Sequence, residues 1–235
     1  MKNFLNISDL STTDLRGIIE EAKSRKISRK DLNKVSVDPD EPLKGKYMVM
    51  IFEKPSTRTR ISFDVATKQL GGKSIFLNPE GIHYGKGDES LKDTAKVLSE
   101  YADIIMLRTS SHKNLEEFAN HLSVPIINGL SNESHPCQIM SDVLTFEELK
   151  GKIDGKSIAW IGDGNNNMSN SLIEAAVKLN FNLKIGCPEK YKPGSKILKW
   201  AKKNNASILI TKNPSQAVKN VDCVMTDKWV SMNDK

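Results

Sequence analysis

The sequence predicts two consecutive α/β domains, each built on a parallel sheet, and three observations carry that expectation. From residue 46 onward, short β-rich runs alternate with amphipathic stretches. Clusters of hydroxyl, amide and charged side chains fall directly after several of those runs. A Lys-Gly-Lys-Ile-Asp-Gly-Lys segment over 150–156 separates one set of βα units from the next, which places domains at 1–150 and 151–235.

Taken in order, the cap-like Ser11-Thr12-Thr13-Asp14 opens a helix over 12–25, followed by a connector rich in lysine and aspartate. Strands are expected over 47–52, 74–77, 104–107 and 125–128, alternating with helices over 57–70, 89–101, 114–122 and 138–149. Past the seam the pattern repeats, with strands over 157–161, 183–186, 207–210 and 223–225 and helices over 169–179, 195–203 and 215–220. So regular an alternation requires parallel strands joined by helical crossovers. Ligands of such sheets bind outside the carboxyl ends of the strands, so the loops after the strands are where chemistry is sought.

Composition narrows the class. Apolar residues make up 38% and charged residues 27% of 235 residues, values of a folded chain and not of a disordered or collagenous one. No apolar run approaches the ~20 residues that span a bilayer, and the first nine residues carry no signal-like apolar stretch, so a cytoplasmic protein without membrane contacts is expected. Cys137, Cys187 and Cys223 are odd in number and widely spaced, unlike a disulfide framework or paired-cysteine zinc site. The net charge of +6 does not point to nucleic acid: residues 1–185 hold 25 basic and 25 acidic side chains, so the excess lies in scattered lysines of the last fifty, and no arginine follows Arg108.

Four clusters carry candidate chemistry. After the first strand come Glu53-Lys54-Pro55-Ser56-Thr57-Arg58-Thr59-Arg60, where Pro55 and Ser56 set and cap a helix start. Free N–H groups, two hydroxyls and a guanidinium in one turn suit a phosphate dianion, the plainer reading being a capped, charged helix start. Arg108 directly follows the third strand and reaches the same edge, unless it is a surface ion-pair partner. Ser134-His135-Pro136-Cys137-Gln138 places an imidazole donor and an amide three residues apart, suited to a carbonyl that must be polarised; capping residues and a Cys–His nucleophilic pair are the alternatives.

Gly162-Asp163-Gly164-Asn165-Asn166-Asn167-Met168 resembles a dinucleotide loop only loosely, because Asn167 stands where the fingerprint needs its third glycine. Its amides suit a polar, zwitterionic ligand instead. Asp227-Lys228-Trp229-Val230-Ser231-Met232, past the last strand, offers a carboxylate for an ammonium group and a hydroxyl, or is an ordinary loop.

In this order and spacing the clusters resemble the aspartate/ornithine transcarbamoylase family, in its ornithine branch, over nearly the whole chain. Ser-Thr-Arg-Thr-Arg (56–60) is similar to the family's carbamoyl-phosphate loop and His-Pro-Cys-Gln (135–138) to its carbonyl-binding motif. The resemblance implies a transcarbamoylase-like pair of domains and transfer of the carbamoyl group of carbamoyl phosphate to the side-chain amine of L-ornithine, giving L-citrulline and phosphate in arginine metabolism. It implies that Ser56, Thr57, Arg58 and Thr59 hold the phosphate. Arg108 bridges phosphate and carbonyl oxygen, His135 and Gln138 hold the carbamoyl end, and Arg58, Arg108 and His135 stabilise the reaction. Asn167, Asp227, Ser231 and Met232 position ornithine. A homotrimer is implied, with His83 reaching a neighbouring subunit's site, and no metal or organic cofactor is required.

The sequence departs from the family pattern at Asn233, where a glycine is expected, and ends at Lys235 without a further His-Cys-Leu-Pro motif. An incomplete second domain, truncated at its C-terminus, is therefore expected. A sister transcarbamoylase acting on another amine and a non-catalytic carbamoyl-phosphate-binding remnant are the alternatives.

Overall fold

The computed structural model describes residues 3–78 and 89–227, which divide into two compact units. The first comprises residues 1–5 and 22–132, the second residues 6–21 and 133–235. The long first helix, α1 (Thr12–Ser28), begins in one and ends in the other.

The first unit holds a four-stranded, all-parallel sheet in the order β2-β1-β3-β4. Its strands are β1 (Tyr47–Phe52), β2 (Lys73–Leu77), β3 (Ile104–Arg108) and β4 (Ile126–Leu130), and its helices are α2 (Thr57–Gln69), α3 (Leu91–Tyr101) and α4 (His112–His121). Alternation of side chains along each strand divides the core in two. Val49, Ile51, Ile105 and Leu107 pack with Ala95 of α3 and Leu115 and Phe118 of α4, while Met48, Met50, Phe52 and Met106 pack with Phe63 of α2. Burial on both faces is why β1 reads as an unbroken apolar run. At the end of α1, Arg25 and Arg29 both bind the buried Asp38, Arg25 at 2.7 Å.

Between Leu107 and Arg108 the β3–β4 register slips: Leu107 opposes Asn128 and Arg108 opposes Leu130, leaving Gly129 as the extra residue. A Cβ at position 129 would collide with Met106 Sδ. Only glycine allows that close approach.

The second unit repeats the plan with order β7-β6-β5-β8, again all parallel. Its strands are β5 (Ser157–Ile161), β6 (Asn182–Gly186), β7 (Ile208–Thr211) and β8 (Cys223–Met225), with helices α5 (Pro136–Lys150), α6 (Asn167–Leu179), α7 (Ser195–Lys203) and α8 (Pro214–Val218). Trp160, Ile173, Ala175, Leu183 and Ile185 are fully or almost fully buried. Among the described residues strand β8 is an edge, and beside it Ile139, Val143 and Phe146 of α5, Ile158, Leu172 and Met225 line an apolar groove of about 250 Å³. No helix among the described residues is long and apolar enough to cross a membrane.

Within this unit Glu174 of α6 is buried and accepts hydrogen bonds from Ser8 N and Ser8 Oγ, each at 3.1 Å. Burial pushes its carboxyl up to about 7, against the lowering effect of the Ser8 hydrogen bonds. A raised acid pKa means that the folded state holds the proton more tightly than the unfolded one. Stability from this group is therefore complete below the unfolded value of 4.5 and is lost as pH rises toward 7. Glu174→Gln should remove that dependence and stabilise the protein at pH 8 by up to about 3 kcal/mol. Urea titrations of both forms at pH 5 and pH 8 check this; equal pH dependence in the two would refute it.

Candidate active site

Both sheets reverse their strand order at one place, between β1 and β3 in the first unit and between β5 and β8 in the second. Crossovers leave such switch points in opposite directions, opening a crevice at the carboxyl ends of the central strands. The loops that begin at Glu53 and Gly162 start at those ends, Arg108 ends β3 and Asp227 follows β8, whereas His135 follows the edge strand β4.

In the first unit, β1 ends at Phe52 and the chain turns through Pro55 into α2. Ser56 caps that helix, accepting from Thr59 N at 3.4 Å and donating to Thr59 Oγ1 at 3.0 Å. Thr57 and Arg58 occupy the exposed first turn, whose N–H groups and dipole favour an anion. Arg108, opposite Phe52 across the β1–β3 ladder, sends Nη1 to Thr59 Oγ1 at 3.2 Å. Its Nε is buried without a hydrogen-bond partner. Burial, and then the charge of Arg58, hold the Arg108 guanidinium below its ordinary pKa. Two guanidinium groups, the hydroxyls of Ser56 and Thr59 and a helix start thus lie together with no carboxylate paired to Arg108 among the described interactions, an arrangement that a dianion would neutralise. Arg60 of the same turn lies elsewhere, stacked on Phe76 at 3.8 Å.

In the second unit, His135 caps α5 with Pro136 as the first helical residue. Its backbone N–H donates to Ser171 Oγ at 2.9 Å, and Ser134 Oγ lies 3.1 Å from the same hydroxyl, so α6 fixes the turn that carries the imidazole. Gln138 Nε2 donates to Asp142 Oδ1 at 2.9 Å. A carboxylate only accepts, so this bond orients the amide and leaves Oε1 of Gln138 as an acceptor facing away from Asp142. Burial raises the Asp142 carboxyl; the Gln138 bond opposes this and the charge of Asp227 adds to it. Burial pushes the Cys137 thiol up to about 12, so it is protonated at neutral pH and the Cys–His nucleophilic pair lacks its thiolate.

The loop after β5 is tightly folded. Trp160 Nε1 donates to Asp163 O at 2.8 Å, Asn165 N to Asp163 Oδ1 at 2.7 Å, and Gly164 N to Tyr191 O at 2.9 Å. Asn166 caps α6 by accepting from Ser169 N at 2.9 Å, and Asn167, buried, is its first residue. A side chain thus fills the place a dinucleotide loop would keep as glycine. Thr226 and Asp227 follow β8, the neighbour of β5, with Thr226 Oγ1 close to Gly162. Asn167, opening the helix after β5, and Asp227, after β8, therefore follow adjacent strands.

Ser56, Thr57, Arg58, Thr59 and Arg108 are thus gathered in the first unit, and His135, Gln138, Asn167 and Asp227 lie in the second. His83, Ser231 and Met232 lie outside the described residues, as does Asn233. Asp142 had no role in the sequence reading; its i, i+4 spacing from Gln138 was the available signal. Among the described residues, no group of three or more His, Cys, Asp or Glu side chains is placed to hold a metal ion.

Residues 2–148 match the carbamoyl-phosphate-binding domain of aspartate/ornithine carbamoyltransferases, and residues 154–235 match their Asp/Orn-binding domain. The ornithine carbamoyltransferase of Rhizobium meliloti is 47% identical over 234 residues, an alignment covering the whole chain and 75% of that relative. The structure of the ornithine carbamoyltransferase from Pyrococcus furiosus superposes with a TM-score of 0.91 at 41% identity, covering 98% of this chain and 73% of that one. The anabolic enzyme of Campylobacter jejuni gives 0.89 at 36% identity, over 100% and 75%. On its paired parallel sheets, its strand-end clusters and these matches, the chain belongs to the aspartate/ornithine carbamoyltransferase family.

Proposed function

We propose that this chain transfers the carbamoyl group of carbamoyl phosphate to the side-chain amine of L-ornithine, giving L-citrulline and phosphate. The observation that carries this reading is the anion site at the β1–β3 switch point, where Arg108 meets Thr59 with Arg58 close enough to disfavour its charge. Ser56, Thr57, Arg58 and Thr59 hold the phosphate. Arg108 bridges phosphate and carbonyl oxygen, and His135 donates to that oxygen. Gln138 accepts from the carbamoyl N–H through the oxygen that its bond to Asp142 leaves available.

Asn167, Asp227, Ser231 and Met232 position ornithine, with Asp227 taking an ammonium group. The amine, whose ordinary pKa is ~10, must lose a proton before it attacks. Its nitrogen then bonds to the carbamoyl carbon, a tetrahedral oxyanion forms, and the bond from carbon to the phosphate oxygen breaks, the proton that the attacking nitrogen sheds leaving with the phosphate. Arg58, Arg108 and His135 stabilise the negative charge on the oxyanion and leaving group, where one aimed donor is worth about 3 kcal/mol. The working form is a homotrimer in which His83 completes a neighbour's site, acting in the cytoplasm in arginine biosynthesis.

An amine panel tests the substrate. With carbamoyl phosphate held constant, L-ornithine should drive phosphate release, whereas N-acetylornithine, putrescine and L-aspartate should not. Preference for any of these three would reassign the second substrate.

A further inference from the structure

We infer that Glu53 is a positioning residue of the anion site, clamping the turn that carries Arg108 to the loop that carries Ser56–Thr59. This rests on the reading of that loop as the carbamoyl-phosphate site. Glu53 is half-buried and follows β1 directly; Arg108 ends β3 beside it. Glu53 N donates to Arg108 O at 2.9 Å. The same residue's Oε2 accepts from Thr109 Oγ1 at 2.6 Å and from Ser110 N at 3.1 Å. One residue thus holds the carbonyl of Arg108 and both residues that follow it.

The clamp extends further. Thr109 is fully buried, donates its N–H to Leu130 O at 2.9 Å, and accepts from Ser111 N through its hydroxyl at 3.0 Å. The ends of β1, β3 and β4 are thereby tied into one piece beneath the anion site. Such a tie is needed because an empty site sets Arg58 and Arg108 against each other, and repulsion would otherwise relax by moving the turn. Charge-assisted hydrogen bonds are the stronger kind, and the Glu53 carboxylate is engaged by an O–H and an N–H donor, which turns its charge toward the backbone and not toward the substrate anion. The clamp fixes where the Arg108 side chain starts, and so where its guanidinium meets the phosphate.

The test measures calorimetric affinity for inorganic phosphate in wild type, Glu53→Ala, Glu53→Gln and Thr109→Val, each with its circular dichroism and thermal midpoint. Glu53→Ala should weaken phosphate about tenfold, and Thr109→Val, which keeps the charge and removes the hydroxyl that donates to Glu53 and accepts from Ser111 N, about threefold. Glu53→Gln retains an acceptor oxygen and should stay within about threefold of wild type. A purely structural role would lower the midpoint without changing the affinity of the folded protein. Folded Glu53→Ala with wild-type affinity overturns the inference; if that variant does not fold, wild-type affinity in Thr109→Val overturns it. Failure of the wild type itself to bind phosphate would instead overturn the anion-site reading.

Discussion

Replacing Arg108 by alanine should lower kcat for citrulline formation by about 10²–10³-fold, since it removes a donor aimed at the charge that develops during transfer. The same substitution should leave the unliganded protein as stable as wild type or more so. Half-buried, with a buried Nε lacking a partner and the charge of Arg58 nearby, Arg108 is a site group whose desolvation is not repaid in the empty protein. Opposite signs on rate and stability are the mark of a functional cation, whereas a surface ion-pair partner would lose a little of both. Initial rates together with thermal midpoints decide between them; a lower midpoint with an unchanged kcat would contradict the assignment.

Asp227→Asn should raise KM for L-ornithine by about ten- to a hundredfold, the loss expected when a charge-assisted bond to an ammonium group becomes a neutral one. Affinity for carbamoyl phosphate should not change, because Asp227 lies on the ornithine-binding side of the division of roles. A second readout is independent of turnover. The charge of Asp227 helps to raise the Asp142 carboxyl, so neutralising it should move the Asp142 titration downward, toward but not to the ordinary value, since burial remains the larger cause. Carboxyl-carbon NMR over pH 3–7 would follow this. An unchanged ornithine KM would remove Asp227 from the site.

The parts of the fold that apolar pattern determines were legible in the sequence. Strands 47–52, 157–161 and 223–225 and helix 195–203 have the expected bounds. Helix starts were less legible, because a cap sets them and not the first apolar residue. Helices α4, α5 and α6 begin two residues earlier than apolar periodicity suggests; Ser111 and Asn166 cap α4 and α6, and Pro136 opens α5. Strand β4 runs on to Leu130 through Gly129, which reads in isolation as a strand end and is in fact the extra residue of the register slip. Helix α1 continues to Ser28, where Arg25 and Arg29 are anchored by Asp38.

The site divides in the same way. The capped helix start at Ser56 and Thr59 was legible because a Pro-Ser-Thr turn after a strand announces its own local structure. Glu53 was visible as a residue without a role, since its partners Thr109 and Ser110 lie 56 and 57 positions away and come within reach only once β1 and β3 pair. Thr109 carried no signal at all. The bond between Gln138 and Asp142 lay within one helix and could have been read from spacing, but only the folded chain sets Asp142 under the influence of Asp227.

The most direct measurement follows carbamoyl phosphate labelled with carbon-13 by NMR, in the presence of the protein and L-ornithine. The label should appear in the ureido carbon of citrulline, with one phosphate released per citrulline formed. Retained phosphate binding with no label reaching citrulline would contradict carbamoyl transfer and leave a binding protein in its place.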